Sequence, residues 1–510
     1  MKEGGYILNK SLKMSIVLSY ISMFAGIIIS IIYTPFMLRN LGQQQYGLYN
    51  MAASAISYLN LFDLGLGNAV VRYSTKYRIE GREKEIKYLY GMFFQLFFII
   101  SIVIIIIGIF LIINAGNFFT VSTGIEGQNQ LKIIMIIMIA SLAISFPGSV
   151  YGSIITSYEE FTFLKITGLI STILNPIIMI PLLLNGYKAI SMSIVALTLN
   201  ILLILFNCIY VHKVLKVDIK FGKIDFNLLK EISCYSGFIF LGAVVDQLYW
   251  NTDKIILGIV SGENTVAVYS LGSQIHSYYQ QFSWSISNVF FPRVTKMVTE
   301  KNLKAINLFF KKIGRIQYFL LFLILSGFFI FGKEFIIWWG GKDYINAYYI
   351  ALLVILAATI PLIQNMGVHI IQAMNKHAFR SICYIIIAIL NAVSSYFLAE
   401  KFGGIGCAIC TAVSLVLGHG ILMNYYYQFK IGLDIKQFWK EIFKITFIFI
   451  PLIVISVFIN QYFITSRFTF LAFKILIYVF AYIIIAYTIA MNNDEKLLIN
   501  DFINRFKRKI

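Results

Sequence analysis

Apolar residues along this chain come in long unbroken blocks, not in alternation. Ile99 to Ile113 is almost wholly aliphatic, and comparable blocks recur with short polar joints between them. A hydrocarbon layer of ~30 Å is crossed by about 20 apolar residues in a helix, whereas barrel strands alternate and turn about every ten. The blocks therefore predict helices, with seven prolines in the whole chain to interrupt them. About fourteen spans are expected, near 14–37, 46–70, 88–113, 131–153, 162–184, 189–211, 233–258, 264–291, 316–337, 346–370, 381–399, 405–427, 441–460 and 468–490. The first block is too long for a signal-peptide core and no small-residue cleavage site follows it, so it is read as a retained span.

Composition agrees. Of 510 residues 59% are hydrophobic and 13% charged, with mean hydropathy +0.80, well outside soluble domains, in which roughly a quarter are charged. The fold class is an all-α integral membrane protein. Its net charge of +19 gathers in alternate connections: Arg72 to Lys87, Lys213 to Lys230, Arg293 to Arg315, Lys376 with Arg380, Lys430 to Lys440, and the tail from Lys496. The opposite loops hold only Arg39, Lys188, Lys333, Lys342, Lys401 and Arg467. Basic loops stay in the cytoplasm, which puts both termini there and accounts for the charge with no nucleic-acid partner.

The connections are too short for a nucleotide-binding domain, and no G-x-x-x-x-G-K-[ST] string occurs. Any work must draw on an ion gradient or on downhill flow of substrate. The 292–315 linker is patterned like a surface-lying amphipathic helix. Outer acids Glu126, Glu263, Glu334, Asp343 and Glu400 are scattered over different loops, which is poor material for a catalytic carboxylate pair. The five cysteines have no zinc-type spacing and read as packing thiols; no metal site is expected.

An offset of 220 aligns LGQQQYGLYNMAASAISY (41–58) with SGENTVAVYSLGSQIHSY (261–278), so that Gly42 meets Gly262 and Tyr49 meets Tyr269. An offset of 216 places Ile173-Leu174-Asn175 on Ile389-Leu390-Asn391. Each unit would hold six spans, an even number, so the halves share one orientation about an axis along the membrane normal. The expected organisation is an N-terminal lobe over 1–230, a C-terminal lobe over 231–428, and two further helices with a cytoplasmic tail over 429–510.

Polar residues inside the spans are the candidates for function. Asp246, Asp253 and Lys254 at full depth would cost roughly 8–10 kcal/mol together. Asp246, Trp250 and Asp253 share one helical face and Gln247, Asn251 and Lys254 the next, a polar sector about 160° wide. In the following span Gln274, His276, Gln280 and Gln281 repeat the pattern in neutral form. His276, Gln280, Ser283 and Ser287 form one stripe expected against water. Aromatic rings beside such amides suit a sugar, although Tyr and Trp also anchor helices at interfaces. Asp63 in FDLGLG is either a close helix contact or an ion ligand. Arg72 and Lys165 at the inner ends are either topological anchors or cations of a binding site, and Arg39 has the same two readings on the outer side. His369 and His419 are either satisfied core groups or ligands, and Pro35 is the foremost hinge candidate.

RNLGQQQYGLYNMAASAISYLNLFDLGLGNAVVRYSTKY (39–77) resembles the opening of bacterial polysaccharide transporters, the Wzx-type oligosaccharide flippases of the superfamily that includes MATE exporters and the lipid II flippase. NTDKIILGIVSGENTVAVYSLGSQI (251–275) resembles the matching stretch of their second half. The resemblance implies a bacterial inner-membrane carrier that moves undecaprenyl-pyrophosphate-linked oligosaccharide to the outer leaflet by alternating access. Arg39, Arg72, Lys165, Trp250, Lys254, Gln274, His276 and Gln280 are then the substrate-binding candidates. Asp63, Asp246 and Asp253 are those for coupling to H⁺ or Na⁺, with no other cofactor. Membrane lipid and polysaccharide polymerase machinery are the implied partners of a monomer. A cation-coupled drug exporter is the alternative on the same fold, and a membrane glycosyltransferase or polymerase the alternative from the enzyme class.

Overall fold

The computed structural model describes residues 10–119, 124–222, 226–376, 378–463 and 468–497, and no strand occurs among them. α1 (Lys10–Leu41) runs unbroken through Pro35 and stops at Gly42, whose φ of 81° only glycine adopts readily. α2 (Gln43–Ser57) passes into a 3₁₀ turn, Tyr58–Asp63; Leu64 and Gly65 then take left-handed conformations before α3 (Leu66–Ile79). α4 (Glu83–Phe118), α5 (Gly124–Ser157), α6 (Phe161–Leu184) and α7 (Ala189–Ile209) follow. α8 (Phe226–Trp250) and α9 (Thr252–Val260) are separated at Asn251, and Gly262 with φ 77° precedes α10 (Glu263–Thr299).

α11 (Leu303–Trp339), α12 (Asn346–Ile363), α13 (Asn365–Ala373) and α14 (Ala378–Leu415) come next, with α14 kinked at Gly403. Two π-helical stretches, Val416–Met423 and Tyr427–Ile431, flank the single turn α15 (Asn424–Tyr426). α16 (Ile435–Tyr462) and α17 (Phe468–Ile485) follow, and a π-helical stretch, Ala486–Ala490, continues α17.

Among the described residues ten helices are long and apolar enough to cross a membrane, so this is a multi-pass membrane protein. The expected count of about fourteen is not established. The shortfall lies where expected spans are broken or polar: 46–70 is split at Leu64–Gly65, 233–258 at Asn251, 264–291 is the polar α10, and 378–431 is one helical run with a kink. The 292–315 linker is not a separate surface helix. α10 continues to Thr299 and α11 starts at Leu303, where the Asn302 side chain caps it by accepting from the Ala305 N–H at 3.0 Å.

The outward faces are as apolar as the inside. On α4, Phe98, Ile102, Ile106, Ile109 and Ile113 are all exposed at helical spacing, and on α16 so are Phe443, Phe447, Ile450 and Val454. Water would penalise such stripes; lipid does not.

By its internal contacts the chain forms two compact units, one of Met1–Ser270 with Ala399–Gly403, the other of Leu271–Leu398 with Gly404–Ile510. In the first, α5 packs against α2, α3, α4 and α7. Gly108 lets α4 lie on Ile139, and the Ser101 hydroxyl donates to the Ala143 carbonyl at 2.8 Å. In the second, α11 is central. The Tyr478 hydroxyl donates to Ser326 Oγ at 2.6 Å and the Tyr482 hydroxyl to the Phe319 carbonyl at 2.9 Å. Ion pairs hold α11 to the C-terminal segments along its length: the buried Arg315 with Glu495 at 2.7 Å, and the half-buried Lys474 with Glu334 at 2.7 Å.

Candidate functional site

Asn251 interrupts the helix in the middle of its polar run. Its N–H still donates to the Gln247 carbonyl at 3.0 Å and its side-chain amide to Gln247 Oε1 at 2.7 Å, but the next turn resumes only at Thr252. The bend is stitched to the end of α2. Ser57 Oγ donates to Gln247 Oε1 at 3.2 Å, and the Tyr58 hydroxyl reaches the Gln247 carbonyl at 3.3 Å and Thr252 Oγ1 at 2.5 Å.

The bend redistributes the charges. Asp246, Trp250 and Asp253 do not present one common face: Asp246 is exposed, Trp250 half-buried, and Asp253 only 1% exposed. Asp253 Oδ2 accepts from the Tyr269 hydroxyl of α10 at 2.5 Å. Lys254 is half-buried and, among the described residues, makes no hydrogen bond and no ion pair within 4 Å; its chain neighbour Asp253 supplies the opposing field. A desolvated ammonium without a carboxylate on it is a poor structural element and a good receptor for an anion.

The remaining candidates are dispersed. Arg39 is exposed at the end of α1, Arg72 is exposed on α3 with its guanidinium 6.0 Å from the Tyr73 ring, and Lys165 is exposed on α6. The Asp63 carboxylate lies beside Gly65 and Gly67, where α3 begins, with Oδ1 3.6 Å from the Cβ position of Gly67. In the second unit, Gln274 donates to the Tyr278 hydroxyl at 2.8 Å, Gln280 is half-buried and His276 is 3% exposed. The stripe of His276, Ser283 and Ser287 is buried in that unit and does not face water. Ser283 Oγ donates to the Leu362 carbonyl at 2.7 Å and receives from Asn365 Nδ2 at 2.8 Å and Gln317 Nε2 at 3.1 Å. No group of three metal-ligating side chains occurs among the described residues.

Sequence reasoning missed how closely α2 and the start of α10 approach. A Cβ on Gly47 would lie 2.0 Å from the Glu263 carbonyl oxygen, and Gln44 Nε2 donates to the fully buried Glu263 carboxylate at 3.2 Å. Glu263 was visible only as one scattered outer acid. The available signal was the glycine itself, in the repeated segment and five residues into a helix.

The model of the family described as "Polysaccharide biosynthesis protein" matches residues 12–298, more than half of the chain. The "Putative O-antigen transporter" of Shigella flexneri is 22% identical over 404 residues, covering 77% of this chain and 92% of that protein. Among solved structures, the lipid II flippase MurJ in an inward closed conformation aligns with a TM-score of 0.71 at 17% identity, covering 92% of this chain and 97% of that one. An inward-facing MATE multidrug transporter of the MOP superfamily aligns at 0.63 and 15% identity, covering 81% and 99%. These likenesses show the fold.

Proposed function

Since the chain belongs to the polysaccharide biosynthesis protein family, we propose that it is a flippase for a polyprenyl-diphosphate-linked oligosaccharide in the bacterial inner membrane. The cargo passes from the cytoplasmic to the outer leaflet by alternating access, with both termini cytoplasmic and a six-helix lobe in each half of the repeat. The observation that carries the reading beyond the family is Lys254. Its ammonium is half-buried on α9 with no hydrogen bond or ion pair among the described residues, and a diphosphate would supply the acceptor oxygens it lacks. A cationic drug would be repelled there, which favours the glycolipid over the exporter reading.

Trp250 and Gln247 on the same bend offer a ring face and an amide to sugar hydroxyls. Asp246 and Asp253 are the carboxylates through which H⁺ or Na⁺ would bias the cycle. Asp63, tied to the backbone at the start of α3, serves that helix on this reading.

The test is a deletion strain. Surface glycan should be lost, with lipid-linked repeat units accumulating on the cytoplasmic leaflet, and Lys254→Ala should reproduce that defect at normal protein levels. Intact glycan with altered drug tolerance in the deletion strain would instead establish the exporter.

A further inference from the structure

The second unit holds another cation that the structure treats unlike its neighbours. Arg380 lies in the first turn of α14, among the basic residues that the loop pattern assigns to the cytoplasm. A topological anchor would send its guanidinium into water. Arg380 instead is half-buried, its Nε wholly buried with no hydrogen-bond partner, and its guanidinium carbon 4.8 Å from the centre of the Tyr384 ring. Tyr384 is itself braced, its hydroxyl sharing a 2.6 Å hydrogen bond with His419 Nδ1 while the two rings lie 4.5 Å apart. His419 belongs to the π-helical stretch Val416–Met423, a departure from α geometry that recurs at functional sites.

Charge completes the picture. His369, His419, Tyr384 and Tyr427 lie within electrostatic reach of Arg380. Among the described residues no carboxylate lies within 4 Å of it. The contrast is within the same unit: Arg315 is matched by the buried Glu495 and the half-buried Lys474 by Glu334. Where this unit uses a buried cation to hold helices together, it supplies an acid.

We propose that Arg380, positioned by Tyr384 and His419, receives the diphosphate of the lipid-linked cargo on the cytoplasmic side of the second unit. A guanidinium fixed on one face by an aromatic ring keeps its outer N–H groups aligned for two phosphate oxygens, a geometry that a point-charge lysine does not reproduce. This inference rests on the flippase reading and adds to it a phosphate contact remote in sequence from Lys254. A phospholipid headgroup offers related chemistry, so the experiment must separate the two.

Detergent-purified full-length protein is titrated with farnesyl diphosphate, with farnesol and with short-chain phosphatidylglycerol. Arg380→Ala should weaken farnesyl diphosphate binding about tenfold or more, Arg380→Lys should recover only part of it, and farnesol binding should not change. Tyr384→Phe and His419→Gln, which keep the cation and loosen its support, should each cost a smaller factor; they decide the matter if Arg380→Ala does not yield monodisperse protein. Unchanged binding in these variants overturns the site. Equal competition by phosphatidylglycerol overturns the assignment to cargo. If the deletion strain traps no lipid-linked glycan while binding still depends on Arg380, the flippase reading falls and the diphosphate site stands; the reverse pattern removes the site and leaves the function.

Discussion

Replacing Gly47 by alanine sets two opposed effects against each other, and the structure says which wins. In a helix interior the change should help by roughly 0.5–1 kcal/mol, since alanine loses less backbone freedom on folding. At Gly47, however, the added Cβ would sit 2.0 Å from the Glu263 carbonyl oxygen, 2.5 Å from its carbon and 3.0 Å from its Cβ. No rotamer relieves a clash with main chain. α2 and α10 must separate by more than an ångström, and the Gln44 to Glu263 hydrogen bond at 3.2 Å stretches with them. Overpacking of this kind costs about 1–3 kcal/mol, so Gly47→Ala should be net destabilising.

Gly26→Ala in α1 is the control, because nothing lies within 4 Å of its Cβ position and only the favourable term remains. Thermal unfolding of the purified proteins should therefore move in opposite directions for two chemically identical substitutions. Adding Glu263→Ala to Gly47→Ala should give no rescue, since the clash is with the backbone. A Gly47→Ala protein as stable as Gly26→Ala would refute the argument, and rescue by Glu263→Ala would refute its main-chain origin.

Arg315→Ala should destabilise by about 3–5 kcal/mol, because it strands the buried Glu495 carboxylate that Arg315 holds at 2.7 Å, whereas replacing both residues by methionine should restore most of the loss in the same melt. Gly91→Ala would put a Cβ 2.0 Å from the Lys220 carbonyl; the 216–222 segment should lift off α4, raising the rate of trypsin cleavage after Lys220 in limited proteolysis. Asp63→Ala should be mildly destabilising in the same melt, because the carboxylate lies beside the backbone of Gly65 and Gly67 at the start of α3; a loss of glycan export at unchanged stability would return Asp63 to the coupling candidates.

Helices were legible because crossing lipid demands long apolar blocks, a requirement that acts on every residue of a span. The offset of 220 also pairs two positions of like backbone. Gly42 and Gly262 have φ of 81° and 77°, and their carbonyls accept from Tyr46 and Val266 at 3.2 and 3.3 Å, residues that the 220 offset also pairs. The offset further matches Tyr33 with Asp253, and each lies beside the tyrosine four turns on, Tyr49 or Tyr269. The bend at Asn251 was not legible, because periodicity assumes a straight helix and so put Asp246 and Asp253 on one face. Arg380 was hidden by its own composition class: in a chain with so many basic loop residues, nothing in sequence separates an anchor from a cation held against a ring.

Sequence and contacts disagree at one boundary. The repeat assigns 231–270 to the second half, yet these residues pack in the first compact unit. What holds them there includes Ser57 and Tyr58 on Gln247 and Thr252, Gln43 and Gln44 on Asn264 and Glu263, and the close approach at Gly47. A hydrogen bond of this sort contributes on net about 0.5–1.5 kcal/mol, small beside the burial that holds α5 against its neighbours. Apolar packing adds to these bonds, since Gly258 lies against Met51 and Phe119 and Leu257, Val266 and Ala267 are fully buried.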